Sequence, residues 1–187
     1  DILEFFMDIS TKNYYVLTGG PGTGKTSLIN GLSEKGYRCI PEVAREIIKN
    51  QVNNRGSALP WADKNGYAKL MWSESVNAYE QTLINHESDR VFFDRGLLDT
   101  ICYMEMEDIP VTDDLKSYLN RPIYKKVFIL PAWEDIYITD AERKQSWDEA
   151  LKTEEAMRMV YSKYGYEVIE IPKIDIPGRL KFIEENL

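Results

Sequence analysis

Residues 19–26 read Gly19-Gly20-Pro21-Gly22-Thr23-Gly24-Lys25-Thr26 and fit G-x-x-x-x-G-K-[ST], the pattern of a phosphate-binding loop. This octet constrains the fold more than any other stretch, because such a loop works only between a buried strand and the start of a helix. Both neighbours are present. Tyr14-Tyr15-Val16-Leu17-Thr18 reads as a short buried strand, and Ser27-Leu28-Ile29-Asn30-Gly31-Leu32 spaces its apolar residues helically. The glycines leave backbone N–H groups free to converge on an anion, and the helix turns its positive end to the same point. Gly20, Pro21, Gly22, Thr23, Gly24, Lys25, Thr26 and Ser27 are therefore the expected cradle of a polyphosphate. Lys25 would reach the β- and γ-phosphates, and the Thr26 hydroxyl would ligate Mg²⁺. A glycine-rich turn that matches by chance would leave the flanking strand and helix unexplained.

Strand and helix alternate along the rest of the chain. Further strands are expected at Tyr37–Pro41, Arg90–Asp94, Lys126–Leu130 and Tyr166–Ile171. Helices are expected from Val43 to about Asn50, Asp63 to about Glu87, Leu97 to about Glu105, Asp113 to about Asn120 and Asp148 to about Tyr164, with Pro177 opening a last one. Gln51–Pro60 reads as a polar loop. Five strands separated by helices imply an α/β fold: a parallel sheet covered on both faces, in three α/β/α layers. A length of 187 residues suits one domain spanning 1–187, and no repeat or interdomain linker is evident.

Composition narrows the partners. The net charge is −8, which argues against a nucleic-acid surface. No apolar run approaches the ~20 residues of a membrane span, and the acidic N-terminus lacks the cationic region of a secretory signal. Cys39 and Cys102 are the only cysteines, which fits a reducing, cytoplasmic setting without disulfides; both read as packing residues. His86 is the sole histidine, and a solvated or capping role suits it better than metal ligation. A homodimer is left open.

In a parallel sheet, ligands gather beyond the carboxyl ends of the strands, and the unusual polar residues fall there. Asp94 closes an apolar strand and suits support of Mg²⁺; its structural alternative is a cap on the following helix. Arg95 follows it where hydrolytic motors place a water-polarising Glu, and a cation there is suited to holding an anionic group. Its alternative is an ion pair without function. Glu42, after Pro41, could take or orient the proton of an attacking hydroxyl, or simply sit at a helix N-terminus with Arg45 as its i,i+3 partner. Residues 133–147 form a candidate lid, in which Arg143, ahead of Lys144, would close over a triphosphate; the alternative is a solvated charge run. Residues 51–80 form a candidate acceptor side. Trp61 and Trp133 are candidate ligand contacts, Trp72 reads as core, and Pro172-Lys173 is a candidate backbone contact flanking a base.

The blocks Gly19–Thr26, Pro41-Glu42-Val43-Ala44-Arg45-Glu46-Ile47-Ile48, Phe92-Phe93-Asp94-Arg95-Gly96 and Trp133-Glu134-Asp135-Ile136-Tyr137 with Thr139-Asp140-Ala141-Glu142-Arg143 resemble a family of stand-alone P-loop proteins. These are described as AAA-domain ATPases or predicted kinases, related to ribosylnicotinamide kinase and to nucleoside and nucleotide kinases. The resemblance implies the P-loop NTPase sheet order 2-3-1-4-5. It implies Glu42 as base toward a sugar hydroxyl, Asp94 and Arg95 for metal and phosphate, and Arg143 as a lid arginine. It also implies ATP and Mg²⁺. Two departures stand out: one clear lid arginine instead of several, and no Asp-Glu after strand three, which speaks against a ring-forming motor.

The resulting expectation is a kinase that transfers the γ-phosphoryl group of ATP to a nucleoside-like or other hydroxyl acceptor. An ATP-hydrolysing regulatory NTPase and a non-enzymatic nucleotide-binding module are the alternatives. The guanine-reading Asn-Lys-x-Asp motif is absent from the sequence, and Asp175-Ile176-Pro177-Gly178 lies too late in the chain to be a switch.

Overall fold

The computed structural model describes residues 12–84, 90–137 and 146–187. Five strands form one sheet: β1 (Asn13–Gly19), β2 (Arg38–Ile40), β3 (Arg90–Asp94), β4 (Lys126–Leu130) and β5 (Val168–Glu170). Their order is β2-β3-β1-β4-β5 and every pairing is parallel. The glycine loop thus leaves the central strand, and the chain around it is an α/β sandwich with the 2-3-1-4-5 order expected from the sequence.

Period-two alternation builds the layers. Tyr14 and Val16 of β1 join Val91, Phe93, Val127 and Ile129 on one face of the sheet. Tyr15 and Leu17 join Phe92, Phe128 and Leu130 on the other. The first face is covered by α3 (Lys64–Ile84), α4 (Leu97–Met106) and α6 (Trp147–Lys163), through residues such as Tyr79, Ile101 and Tyr161. The second is covered by α1 (Lys25–Glu34) and α7 (Ile176–Glu185), through Leu28, Leu32, Leu180 and Ile183. Each fully buried Leu or Phe contributes about 1.5–3 kcal/mol. Both faces are covered, so the central strands are apolar throughout. α2 (Val43–Asn53) packs Ile47 on Tyr67 and Met71 of α3. α5 (Asp113–Leu119) and a single 3₁₀ turn (Glu134–Ile136) complete the described elements.

Two strands are shorter than the sequence suggests, for identifiable reasons. Tyr37 donates its backbone N–H to Leu32, closing the end of α1 before β2 begins. Pro41 has no N–H with which to extend β2. Tyr166 lies outside β5, and its hydroxyl accepts from the backbone N–H groups of Ile123 and Tyr124 at 3.0 and 3.4 Å. Helix α2 runs three residues further than expected, to Asn53. Among the described residues, no helix is long and apolar enough to cross a membrane.

Candidate nucleotide and acceptor site

The loop between β1 and α1 is held open by its backbone. Gly19, Gly22 and Gly24 have φ values of 151°, 76° and 88°. A Cβ on Gly19 would also lie 2.7 Å from the Leu130 carbonyl oxygen, so the turn passes too close to β4 for any side chain. Thr23, buried, ties the loop to itself by donating its hydroxyl to the Gly20 carbonyl at 3.0 Å. Thr26 and Ser27 are exposed in the first turn of α1.

Four of the residues singled out from the sequence meet beside this loop. Lys25, only 7 % exposed, hydrogen-bonds Asp94 at the end of β3 and stands 3.7 Å from Glu42. Glu42 accepts from the Arg95 Nε at 2.9 Å and lies 3.5 Å from Arg45, its i,i+3 partner. Glu42 occupies the N-cap position of α2, as its helix-terminus reading expected. Burial pushes its carboxyl up, but Arg95, Lys25 and Arg45 outweigh this and hold its pKa below the usual Glu value. Asp94 is not the cap of the next helix: Gly96 occupies that position, and Asp99 closes the capping box. Arg95 stands at φ 67°, a left-handed conformation costly for a residue with a side chain. Its N–H donates to the Leu17 carbonyl at 2.9 Å, and its guanidinium bridges Glu42 and Asp99.

Sequence reasoning missed Asp99. Beyond Arg95, at 3.3 Å, its carboxylate accepts from the Thr18 hydroxyl, from the Tyr161 hydroxyl at 2.6 Å and from the Gly96 N–H at 2.8 Å. One side chain therefore joins β1, the exit of β3, α4 and α6. Its only sequence signal was its place three residues after Gly96, which reads as an ordinary cap. Gly96 itself has no room for a methyl group: a Cβ there would lie 2.8 Å from the Tyr161 hydroxyl and 3.0 Å from Val16.

Beside this cluster lies a cavity of about 340 Å³. Its polar end is Glu42, Asp94, Arg95 and Asp99; its body is Tyr67, Met71, Ala78, Phe93, Tyr103 and Met157. Tyr67 and Tyr103 meet edge-on at 5.3 Å, and the Tyr103 hydroxyl is buried without a partner among the described residues. Burial, aided by nearby carboxylates, pushes both phenols up to about 12, so both remain protonated donors at neutral pH. Arg95 is the only cation lining this cavity among the described residues, against the carboxylates of Glu42, Asp94, Asp99 and Glu107. A neighbouring hollow adds Glu46 and Glu74.

The other expectations divide. Arg143, Lys144 and most of the candidate lid, together with His86, lie outside the described residues. Trp61 is 68 % exposed. Trp72 packs at the edge of the core, edge-on to Tyr118. Trp133 lies over the guanidinium of Arg179, a second residue the sequence reading missed. Cys39 and Cys102 are free thiols; burial, with Asp94 and Asp99 respectively adding to it, pushes them up to about 11 and about 12, so they are packing groups rather than nucleophiles.

The fold recurs in known proteins. The chain resembles a deoxyadenosine kinase from M. mycoides solved with dCMP and dCDP, at 14 % identity and TM-score 0.60, over 92 % of this chain and 97 % of that one. It resembles YorR from Bacillus subtilis, solved with phosphorylated GDP, at 16 % identity and TM-score 0.59, over 92 % and 94 %. It also resembles NadR in complex with NR, at 17 % identity and TM-score 0.62, over 88 % of this chain but 47 % of that one, so the chain spans about half of NadR. No curated protein sequence is detectably similar. At these identities the likeness establishes the fold. The sequence model of the AAA domain matches residues 14–179, from the first buried strand to the last helix. With a phosphate loop, a parallel 2-3-1-4-5 sheet and a family match over most of its length, the chain belongs to the AAA-domain family of P-loop proteins.

Proposed function

We propose that this protein is a small-molecule kinase that transfers the γ-phosphoryl group of ATP to a hydroxyl of an unphosphorylated acceptor. The observation that carries the reading is the cavity: its polar end holds Glu42, Asp94 and Arg95, and both carboxylates lie next to the ammonium group of the loop lysine. A hydroxyl entering from the apolar side meets Glu42 close to the place where Lys25 would grip a γ-phosphate. Glu42 orients that hydroxyl and accepts its proton as the new P–O bond forms and the bond to the β-phosphate oxygen breaks. When Lys25 turns to the phosphates, Glu42 loses a neighbouring cation, which raises its proton affinity at the moment a base is needed.

Thr26 and Asp94 would hold Mg²⁺. One hydroxyl and one carboxylate, with phosphate oxygens completing the sphere, suit this ion, and no group of three or more protein ligands is found among the described residues. The metal would neutralise charge on the bridging oxygens. Arg95 steadies Glu42, and Arg143, which lies outside the described residues, would be the cation for the donor phosphates.

The charge inventory supports an acceptor without a phosphate group. Among the described residues, the one arginine lining the cavity is already engaged by two carboxylates, and no other cation lines it to greet an anion. The apolar body and its two phenols suit an aromatic or heterocyclic moiety that is neutral or cationic. Proteins sharing this fold are solved with dCMP and with NR. The test is ADP release with Mg-ATP across a panel of nucleosides, their monophosphates and related alcohols. Acceptor-dependent release with a phosphorylated product is the expected outcome. Slow hydrolysis indifferent to every acceptor would instead assign a regulatory NTPase.

A further inference from the structure

The proposed reaction leaves one buried cation without a task. Arg179, in the first turn of α7, is 0 % exposed. Its Nε donates to the Pro172 carbonyl at 3.0 Å and its Nη1 to the Thr23 carbonyl at 2.9 Å. Nη2 is buried and has no partner, and no carboxylate pairs with the guanidinium among the described residues. Trp133 lies across it, 4.8 Å from Cζ to the ring centroid. A cation in the first turn of a helix opposes the helix dipole, and burying it unpaired opposes folding. A group so placed calls for a compensating interaction.

Thr23 supplies the direction. The peptide between Thr23 and Gly24 is planar and trans, so a carbonyl drawn outward to Arg179 turns the Gly24 N–H the opposite way, into the loop. A strong donor on that carbonyl also polarises the peptide and makes its N–H a better donor in turn. The Thr23 hydroxyl bond to Gly20 braces the same turn from inside.

We propose that Arg179 is a positioning residue of the phosphate loop: it fixes the Thr23–Gly24 peptide with its N–H facing the anion, and a nucleoside triphosphate in the loop supplies the counter-charge that it lacks among the described residues. This role rests on nucleotide binding at the loop and not on the identity of the acceptor.

The test is calorimetric affinity for Mg-ATP, with melting temperature measured in parallel, on the wild type, Arg179→Met, Arg179→Lys and Ile183→Val. Ile183 is buried in the same helix and core, away from the loop. Arg179→Met should weaken Mg-ATP by at least ~tenfold, the loss expected for a hydrogen bond from a charged donor. Arg179→Lys should recover part of this loss, and Ile183→Val should lower the melting temperature with affinity unchanged. Affinity of Arg179→Met within about twofold of wild type overturns the role, as does an equal loss in Ile183→Val, which would mark general loosening. If Arg179→Met does not fold, Arg179→Lys decides: wild-type affinity at a lowered melting temperature makes Arg179 structural only. A wild-type protein that binds no nucleotide fails one step earlier, at the loop, and Arg179 loses its role with it.

Discussion

Two arginines flank the mouth of the central strand, and their surroundings are opposite. Arg95, on the acceptor side, is held by Glu42 and Asp99 and stands in a strained left-handed backbone. Arg179, on the loop side, is held by two carbonyls and an aromatic ring and has no anion beside it among the described residues. The first is neutralised by its own carboxylates; the second meets no carboxylate among the described residues. Under the proposed reaction the contrast divides the labour: the cavity side would repel further negative charge, and the loop side would attract it.

The sharpest way to break this contrast is Glu42→Gln. It removes one of the two anions at Arg95 and the proposed proton acceptor together. Phosphoryl transfer should fall ~10²–10⁴-fold, while Mg-ATP affinity, read by calorimetry, stays within about threefold. Equal loss of both would reduce Glu42 to a structural counter-ion. Next in size is Asp99→Asn, which weakens the bonds from Arg95, Thr18 and Tyr161 at once. Chemical denaturation should show a loss of about 1–3 kcal/mol; no loss would mean that the carboxylate merely caps α4. The smallest effect concerns pH. The folded pKa of Glu42 is depressed, so its contribution to stability is complete above the unfolded value and disappears as pH falls through the folded one. Between about pH 6 and about pH 3, wild-type stability should therefore fall more steeply than that of Glu42→Gln. Identical slopes would show that Arg95, Lys25 and Arg45 do not favour the ionised form.

The elements of the fold were legible because each central strand is an apolar run and the glycine motif marks where β1 ends. The edge strands were legible in place but not in length, since Tyr37 and Tyr166 look like strand residues and are used for closing contacts instead. Lys25, Glu42, Asp94 and Arg95 were found because each ends a strand or follows the loop, where spacing alone brings them together. Asp99 and Arg179 were not, because both lie inside helices, and what distinguishes them is who faces them across the sheet edge. Arg179 did carry a local sign, a positive charge in a helical first turn where acids are favoured. Segment 51–80 contributes Tyr67, Met71, Ser75 and Ala78 to the cavity wall, yet its sequence names no acceptor, because apolar walls read the same for many ligands.

The position of β1 also bears on how the chain reaches this state. Its two partners are β3 and β4, so one edge lacks its ladder until residue 94 has been synthesised and the other until residue 130. Tyr14-Tyr15-Val16-Leu17 is strongly β-prone and uncharged. During translation it is an exposed sticky template, and contacts this distant in sequence form slowly. The segment that organises the finished site is therefore the one most in need of protection, by a chaperone or by rapid helix docking, before that site exists.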